Sequence, residues 1–193
     1  MWFAAGVAFA AASEPIVVMG DAFVAPRESA GFGEGAATRP SARWTAVAAD
    51  CLEERARGRW SLVDRTVPGE TVEGAAARVD AFLSTKPKIV VVALSGAGKP
   101  ERLAELVAGI QAAGAELWLV GPVGAAVGQA VDPAFELAVT APLGPRVHRV
   151  DVLADWPAGA VDRAALSDRV GALTDAGHAR LGAAVCRALP IVE

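Results

Sequence analysis

The residues of this chain that could do chemistry lie in predicted turns and at a predicted helix start. Asp21 and Gly69 stand in short turns after apolar runs, Ser95 begins a glycine-rich turn, and Asp175 precedes His178 by three residues. A histidine beside a carboxylate is the combination that activates a hydroxyl nucleophile. Glycine-rich turn amides hold anions or a developing oxyanion. These residues are therefore candidates for a catalytic or an anion-binding site, provided that the fold brings the turns together.

A repeated pattern of apolar runs and helical segments must position these residues. Strands are predicted at Ile16–Met19, Trp60–Arg65, Lys88–Leu94, Glu116–Val120 and Arg146–Val152. Helices are predicted at Ala42–Arg57 with Ser41 as N-cap, at Thr71–Phe82, from Pro100 to a C-cap at Gly114, and at Ala176–Ala188. Such alternation predicts a three-layer α/β/α, flavodoxin-like domain with a parallel sheet of about five strands. Its ligand site should lie past the carboxyl ends of the strands.

Four segments, in order from Pro15 to Leu189, resemble the sequence blocks of the SGNH/GDSL hydrolases. Val17–Ala22 is similar to the first block, in which a strand leads into Gly-Asp-Ser, and Val67–Thr71 is similar to the second. Lys86–Gly98 resembles the approach to the third block, and Thr174–His178 resembles the last block, Asp-x-x-His. Each block is short, but four in order, each on the expected element, strongly favour this fold.

The resemblance implies a role for each matching residue. His178 corresponds to the general base and Asp175 to the acid that orients it. Gly69 corresponds to an amide donor of the oxyanion hole, and Asp21 to the turn-forming acid of the first block. The structural alternative is that Asp175 and His178 are a surface histidine near an N-cap aspartate with no shared task.

The departures from the family pattern are equally specific. Ala22 stands where the nucleophilic serine belongs, Ala97 where the oxyanion-hole asparagine belongs, and Ser95 replaces a glycine of the third block. Loss of a triad serine lowers turnover by a factor on the order of 10⁶. We therefore expect a catalytically impaired protein that binds a small ester or an acylated carbohydrate, or acts as a scaffold. The alternative is an active esterase in which an original serine at position 22 has been replaced.

Other chemical interpretations of these segments are weaker. The segment 93–100 resembles a phosphate-binding P-loop at Gly98-Lys99, but Pro100 stands where a magnesium-binding hydroxyl is needed. Ser95 could supply a substitute nucleophile only from the third strand, and a local turn hydrogen bond is the simpler expectation. His148 at the start of the fifth strand is expected to be an ordinary, partly exposed residue. No cofactor is predicted.

Composition excludes further classes. Hydrophobic residues make up 53% of the 193 residues and charged residues 21%, which predicts a folded chain. The net charge of −4 and the absence of a basic run argue against nucleic acid as a partner. The polar segment from about Ala25 to Pro40 is expected to be disordered or to form the rim of a site. No protein partner is identified.

The first residues and the cysteines bear on localisation. Residues 1–14 form an apolar arm or a signal-like segment ahead of a domain at 15–193. The run is too short to span a membrane, and no basic residue precedes it, so export and a cytoplasmic location stay equal alternatives. Cys51 and Cys186 lack metal-ligand spacing and are expected to be free, buried residues, with a disulfide plausible only after export.

Overall fold

Five strands and five helices make up the regular structure of the described part of the chain. The computed structural model describes residues 13–23, 43–95, 98–123, 131–141, 143–152, 154, 156–157, 165–167 and 172–190. The elements in chain order are β1 (Glu14–Asp21), α1 (Trp44–Arg55), β2 (Trp60–Val67), α2 (Val72–Leu83), β3 (Ile89–Ala93), α3 (Pro100–Ala112), β4 (Glu116–Val120), α4 (Pro133–Thr140), β5 (Val147–Val150) and α5 (Asp175–Ala188).

All five strands join one parallel sheet in the order β2-β1-β3-β4-β5. Helices α1 and α5 pack with one face of the sheet in one buried apolar cluster, and α2, α3 and α4 pack with the other face in a second cluster. The two covered faces explain why β3 is apolar at every position, because both faces of a parallel strand are buried. The predicted three-layer α/β/α fold is confirmed.

Several element boundaries differ from the sequence predictions. Helix α1 begins at Trp44, with Arg43 as its N-cap, rather than at Ala42 after a Ser41 cap, and those two residues lie outside the described part. Helix α4 was not predicted, although Asp132 caps it through a side-chain bond to the Ala134 amide. The polar segment 25–40 also lies outside the described residues.

The expectation of two free cysteines is wrong, because Cys51 and Cys186 form a disulfide. The two residues are 135 positions apart, and a sequence pattern gives no sign that they meet. They meet because α1 and α5 lie side by side on one face of the sheet, which brings the two Cα atoms to 6.2 Å. Within the described residues, no helix has the length and hydropathy needed to cross a bilayer.

The end of β1 depends on a glycine that no other residue can replace. Gly20 has a φ of +98°, and a Cβ there would lie 2.1 Å from the carbonyl oxygen of Ala93 on β3. Backbone of the neighbouring strand cannot give way without breaking the β1–β3 ladder, whose last pair is Gly20 with Ala93. The glycine therefore sets how closely the two central strands approach at the edge where the site is expected.

We expect Gly20→Ala to lower the free energy of unfolding by about 3 kcal/mol or more, since it combines a positive φ with a backbone clash. Gly58→Ala is the matched control: its φ is +70°, and nothing lies within 4 Å of the added Cβ. The control should cost only about 1–2 kcal/mol. Urea denaturation of both variants measures the difference, and equal losses would contradict the clash.

Candidate functional site

The turns predicted to form a site do converge at the carboxyl edge of the sheet. The register pairs Gly20 with Ala93, so Ala22 and Ser95 each lie two residues beyond the last pair of their adjacent strands. The Ala22 side chain is buried, and its N–H donates to the Val67 carbonyl at the end of β2 (3.2 Å). Ser95 is half-buried. Ala97, the position expected to have lost an asparagine, lies outside the described residues.

Asp21 holds the first two blocks together. Its Oδ1 accepts hydrogen bonds from the N–H of Phe23 (2.8 Å) and from the N–H of Gly69 (3.0 Å). Burial raises the pKa of the Asp21 carboxyl, the two amides act to lower it, and the charge of Glu70 adds to the rise. The Gly69 amide that the resemblance assigns to an oxyanion is therefore donated to a carboxylate of the same protein.

Glu70 is a buried polar residue at this edge that the sequence analysis did not single out. Its carboxylate accepts the N–H of Gly20 (3.0 Å) and binds the guanidinium of Arg78, whose Nε lies 2.8 Å from Oε1. Glu70 is 8% exposed, so the pairing with a charged donor and a backbone amide offsets the cost of burying a carboxylate. The sequence signal for this ion pair was an acidic residue in the turn before α2, followed by an arginine about two helical turns later on α2.

His178 lies in the layer between α5 and α1 and is fully buried. Its Nδ1 accepts the backbone N–H of Trp44, the first residue of α1, at 3.2 Å. A neutral imidazole has one acceptor nitrogen and one donor nitrogen, so this bond assigns the hydrogen to Nε2. Nε2 is buried and has no hydrogen-bond partner among the described residues. Burial lowers the pKa of His178 to about 4, while Asp175 acts to raise it and Arg43 lowers it further.

Asp175 lies at the protein surface in the first turn of α5. Among the hydrogen bonds of the described residues, none joins its carboxylate to the His178 ring. The Nδ1 atom that an orienting acid would contact is occupied by the Trp44 amide. The position of Asp175 beside a helix N-terminus is electrostatically favourable by itself. The structure thus brings His178 into the core and leaves Asp175 at the surface.

Backbone contacts bring the last block to the first. The N–H of Leu173, just before α5, donates to the carbonyl oxygen of Phe23, just after β1, at 2.8 Å. A Cβ on Gly177 would lie 2.2 Å from the Leu166 carbonyl oxygen, so a glycine is required where the start of α5 packs on that segment. The segments after β1 and before α5 are therefore neighbours, as the block order predicts.

The nucleotide-binding interpretation is not supported at the start of α3. The N–H of Lys99, the N-cap of this helix, donates to Oε1 of Glu73 on α2 at 2.9 Å. Hydrogen bonds from its own amide and from Lys99 lower the pKa of the Glu73 carboxyl. The Lys99 amide at the N-terminus of α3 is thus donated to a carboxylate of the protein and is not left for an anion. Within the described residues, no group of three or more potential metal ligands is found.

His148, the other histidine, lies on the edge strand β5. Its ring stacks on Trp118 with the centroids 4.4 Å apart, and its Nε2 is 3.4 Å from a Glu116 carboxylate oxygen. The side chain is 39% exposed. These contacts match the expectation of an ordinary, partly exposed residue.

Comparison with known proteins identifies the fold. No family model and no curated protein matches this sequence. An acetyl xylan esterase, AlAXEase, superposes with a TM-score of 0.67 at 15% identity over 91% of this chain and 100% of its own. A protein described as a GDSL-like lipase from Parabacteroides merdae gives 0.65 at 15% identity, over 91% of this chain and 95% of its own. TesA superposes with a TM-score of 0.62 at 22% identity, over 91% of this chain and 97% of its own.

This chain has the SGNH/GDSL-hydrolase fold. On the SGNH fold the convergence of the segments after β1, β2 and β3 with the segment before α5 is expected, and the resemblance in the sequence blocks is confirmed at the level of the fold.

Because the pKa of His178 is lowered in the fold, we expect the free energy of unfolding to decrease at acidic pH. In the unfolded chain a histidine titrates near 6.5, whereas in the fold it titrates near 4. Between these values the unfolded state binds more protons, so stability falls as the pH is lowered from about 6.5 to about 4 and then levels off. The loss should amount to about 3 kcal/mol. Urea denaturation across this range measures it.

The variants His178→Asn and His148→Asn separate the two histidines. Asparagine at 178 keeps an acceptor for the Trp44 amide but does not titrate, so this loss of stability should disappear. The His148→Asn variant should keep it. Asp21 has the opposite sign, because its raised pKa favours the fold as the pH falls, and it contributes equally to all three proteins. A loss that persists in His178→Asn would contradict the assignment.

Proposed function

We propose that this protein is an SGNH/GDSL-hydrolase-like protein that does not hydrolyse esters and uses the carboxyl edge of its sheet for binding. The observation that carries the proposal is the hydrogen bond from the Trp44 amide to Nδ1 of His178, in a chain with alanine at position 22. This hydrogen bond leaves the chain without a general base, and the alanine at position 22 leaves it without a nucleophile. The inference that the chain descends from such hydrolases rests on the four sequence blocks together with the shared fold.

Ester hydrolysis on this fold requires a hydroxyl, a lone pair to accept its proton, and donors for the oxyanion. Position 22 offers only a methyl group. The Nε2 atom that would accept the proton already bears a hydrogen, because Nδ1 is the acceptor. The Gly69 N–H donates to Asp21. Both hydrogen bonds, from Trp44 to His178 and from Gly69 to Asp21, would have to be broken before these groups could act on a substrate.

The alternative of an active esterase with a replaced serine accounts for one of these differences. A single replacement at position 22 does not explain the exposed Asp175 or the Trp44 contact at His178. Degeneration of the whole site explains all of them together, which is why we favour it. Ser95 lies level with Ala22 on the neighbouring strand and is the one described hydroxyl at the ends of β1 and β3 that could contribute residual activity.

Hydrolysis of p-nitrophenyl acetate tests the impaired site. We expect the protein and its Ala22→Ser variant to release p-nitrophenol no faster than buffer, since the serine alone restores neither the base nor the oxyanion donors. Ser95→Ala is the control that assigns any residual rate to that hydroxyl. Activity that appears only in Ala22→Ser would contradict the proposal and favour a single replaced serine. Activity of the unaltered protein would overturn it altogether.

The fold does not select a ligand, so the probes are chosen from what the similar structures are described as. The similar structures include an acetyl xylan esterase and a GDSL-like lipase, so an acylated carbohydrate and a small ester are the two probes. We expect saturation-transfer NMR to show contact with the acetyl methyl group of an acetylated xylo-oligosaccharide, or with the acyl chain of ethyl butyrate. The deacetylated oligosaccharide is the matched control. Absence of transfer from both probes would contradict ligand binding and favour a scaffold role.

A further inference from the structure

Helices α1 and α5 meet along a line of contacts that we call the α1–α5 seam. On α5 the contacting residues are four positions apart and on α1 they are three or four apart, so each set lies on one face of its helix. Both sets increase in the same order, so the two helices run in the same direction. The seam consists of Trp44 with His178, Val47 with Gly182, and Cys51 with Cys186.

The middle of the seam explains why the helices approach so closely. A Cβ on Gly182 would lie 2.5 Å from the carbonyl oxygen of Trp44 and 2.6 Å from the Cβ of Val47. The absence of a side chain at this position lets the backbone of α1 rest on α5. This approach brings the first amide of α1 to the His178 ring, one turn away along α5.

The disulfide end of the seam is asymmetric. Cys186 is fully buried, whereas Cys51 is half-buried, so an incoming thiolate meets Cys51 first. The guanidinium of Arg55, one turn beyond Cys51, donates to the Cys186 carbonyl oxygen and lies 3.7 Å from the Cys186 sulfur. A cation beside a sulfur favours its thiolate form, and a more stable thiolate is a better leaving group. Attack at Cys51 with departure of Cys186 is therefore the favoured direction of opening.

We propose that the Cys51–Cys186 disulfide is a redox-sensitive clasp on the α1–α5 seam, opened by a dithiol that attacks Cys51, and that its opening releases the Trp44 amide from His178. The thiolate of the dithiol bonds to Sγ of Cys51, and the electron pair of the broken S–S bond goes to Cys186, which takes up a proton. The second thiol of the reductant then displaces Cys51, which is also protonated. The dithiol loses two electrons and two protons and becomes a cyclic disulfide.

The consequence reaches His178 because the disulfide is the covalent link between α1 and α5. With the clasp open, the Trp44 amide is held against Nδ1 by non-covalent contacts alone: the packing of α1 on Gly182, the Arg55 hydrogen bond to the Cys186 carbonyl and the buried apolar side chains that the two helices share. Loss of that donor frees Nδ1 to carry the hydrogen, which leaves a lone pair on Nε2. This inference does not depend on whether the protein binds or hydrolyses an ester. Disulfides persist in oxidising compartments. There, a shift of the surrounding thiols toward the reduced form would open the clasp.

The direction of opening can be tested on the intact protein. Brief exposure to glutathione, followed by alkylation and peptide mass spectrometry, should place the glutathione adduct on Cys51. The variant Arg55→Gln should be reduced by dithiothreitol more slowly than the unaltered protein, because loss of the guanidinium beside the Cys186 sulfur makes that thiolate a poorer leaving group. The control is Arg57→Gln, since this exposed arginine has no hydrogen bond to either cysteine among the described contacts. An adduct on Cys186, or equal rates in both variants, would overturn the proposed route.

The effect on His178 is read from its ring nitrogens. Nitrogen-15 NMR of the oxidised protein should show an unprotonated Nδ1, and reduction by dithiothreitol should change that signal while circular dichroism keeps its folded spectrum. A Cys51→Ala/Cys186→Ala variant should reproduce the reduced spectrum without reductant. Reoxidation should restore the original signals. An unchanged His178 spectrum after reduction would overturn the clasp, and so would global unfolding, since the disulfide would then hold the whole fold rather than the seam.

Discussion

The close approach of Gly20 to the Ala93 carbonyl is the constraint on which the carboxyl edge of the sheet depends. With no side chain at position 20, β1 and β3 stay paired to their last residues and the chain then turns sharply. The amide freed by that turn needs an acceptor in a buried place, and the Glu70 carboxylate provides it. Arg78 neutralises that carboxylate. The tight contact between two strands is therefore accompanied by a buried ion pair that satisfies the Gly20 amide.

The need of buried polar groups for hydrogen-bond partners also determines the arrangement of the candidate site. Asp21 must accept hydrogen bonds because it is buried, and the nearest donors are the amides of Phe23 and Gly69. His178 likewise satisfies its Nδ1 through the Trp44 amide. An active hydrolytic site holds such groups ready for a substrate, at a cost in stability. Here they serve one another, which is consistent with a chain that has no nucleophile at position 22 to direct them toward chemistry.

The α1–α5 seam joins this edge to the rest of the helical layer. Trp44 is at once the first residue of α1, a fully buried part of the core and the donor to His178. The glycine contact and the disulfide that follow it along the seam keep both helices in register. The hydrogen bond at Nδ1 of the imidazole is thus set by helix packing rather than by the carboxylate three residues before it.

Sequence pattern alone was sufficient for the fold, because strands buried on both faces and helices with glycine and proline at their ends carry local signals. Four turn segments in the right order also identified which loops meet, since the carboxyl ends of parallel strands share one edge. The sequence likewise determined that position 22 has no hydroxyl. Partnerships across the chain were decided only by the tertiary structure: the disulfide, the Glu70–Arg78 pair and the Trp44 amide on His178. Each depends on which helix lies beside which, and on how burial forces a polar group to accept the nearest donor, and no spacing along the chain encodes that choice.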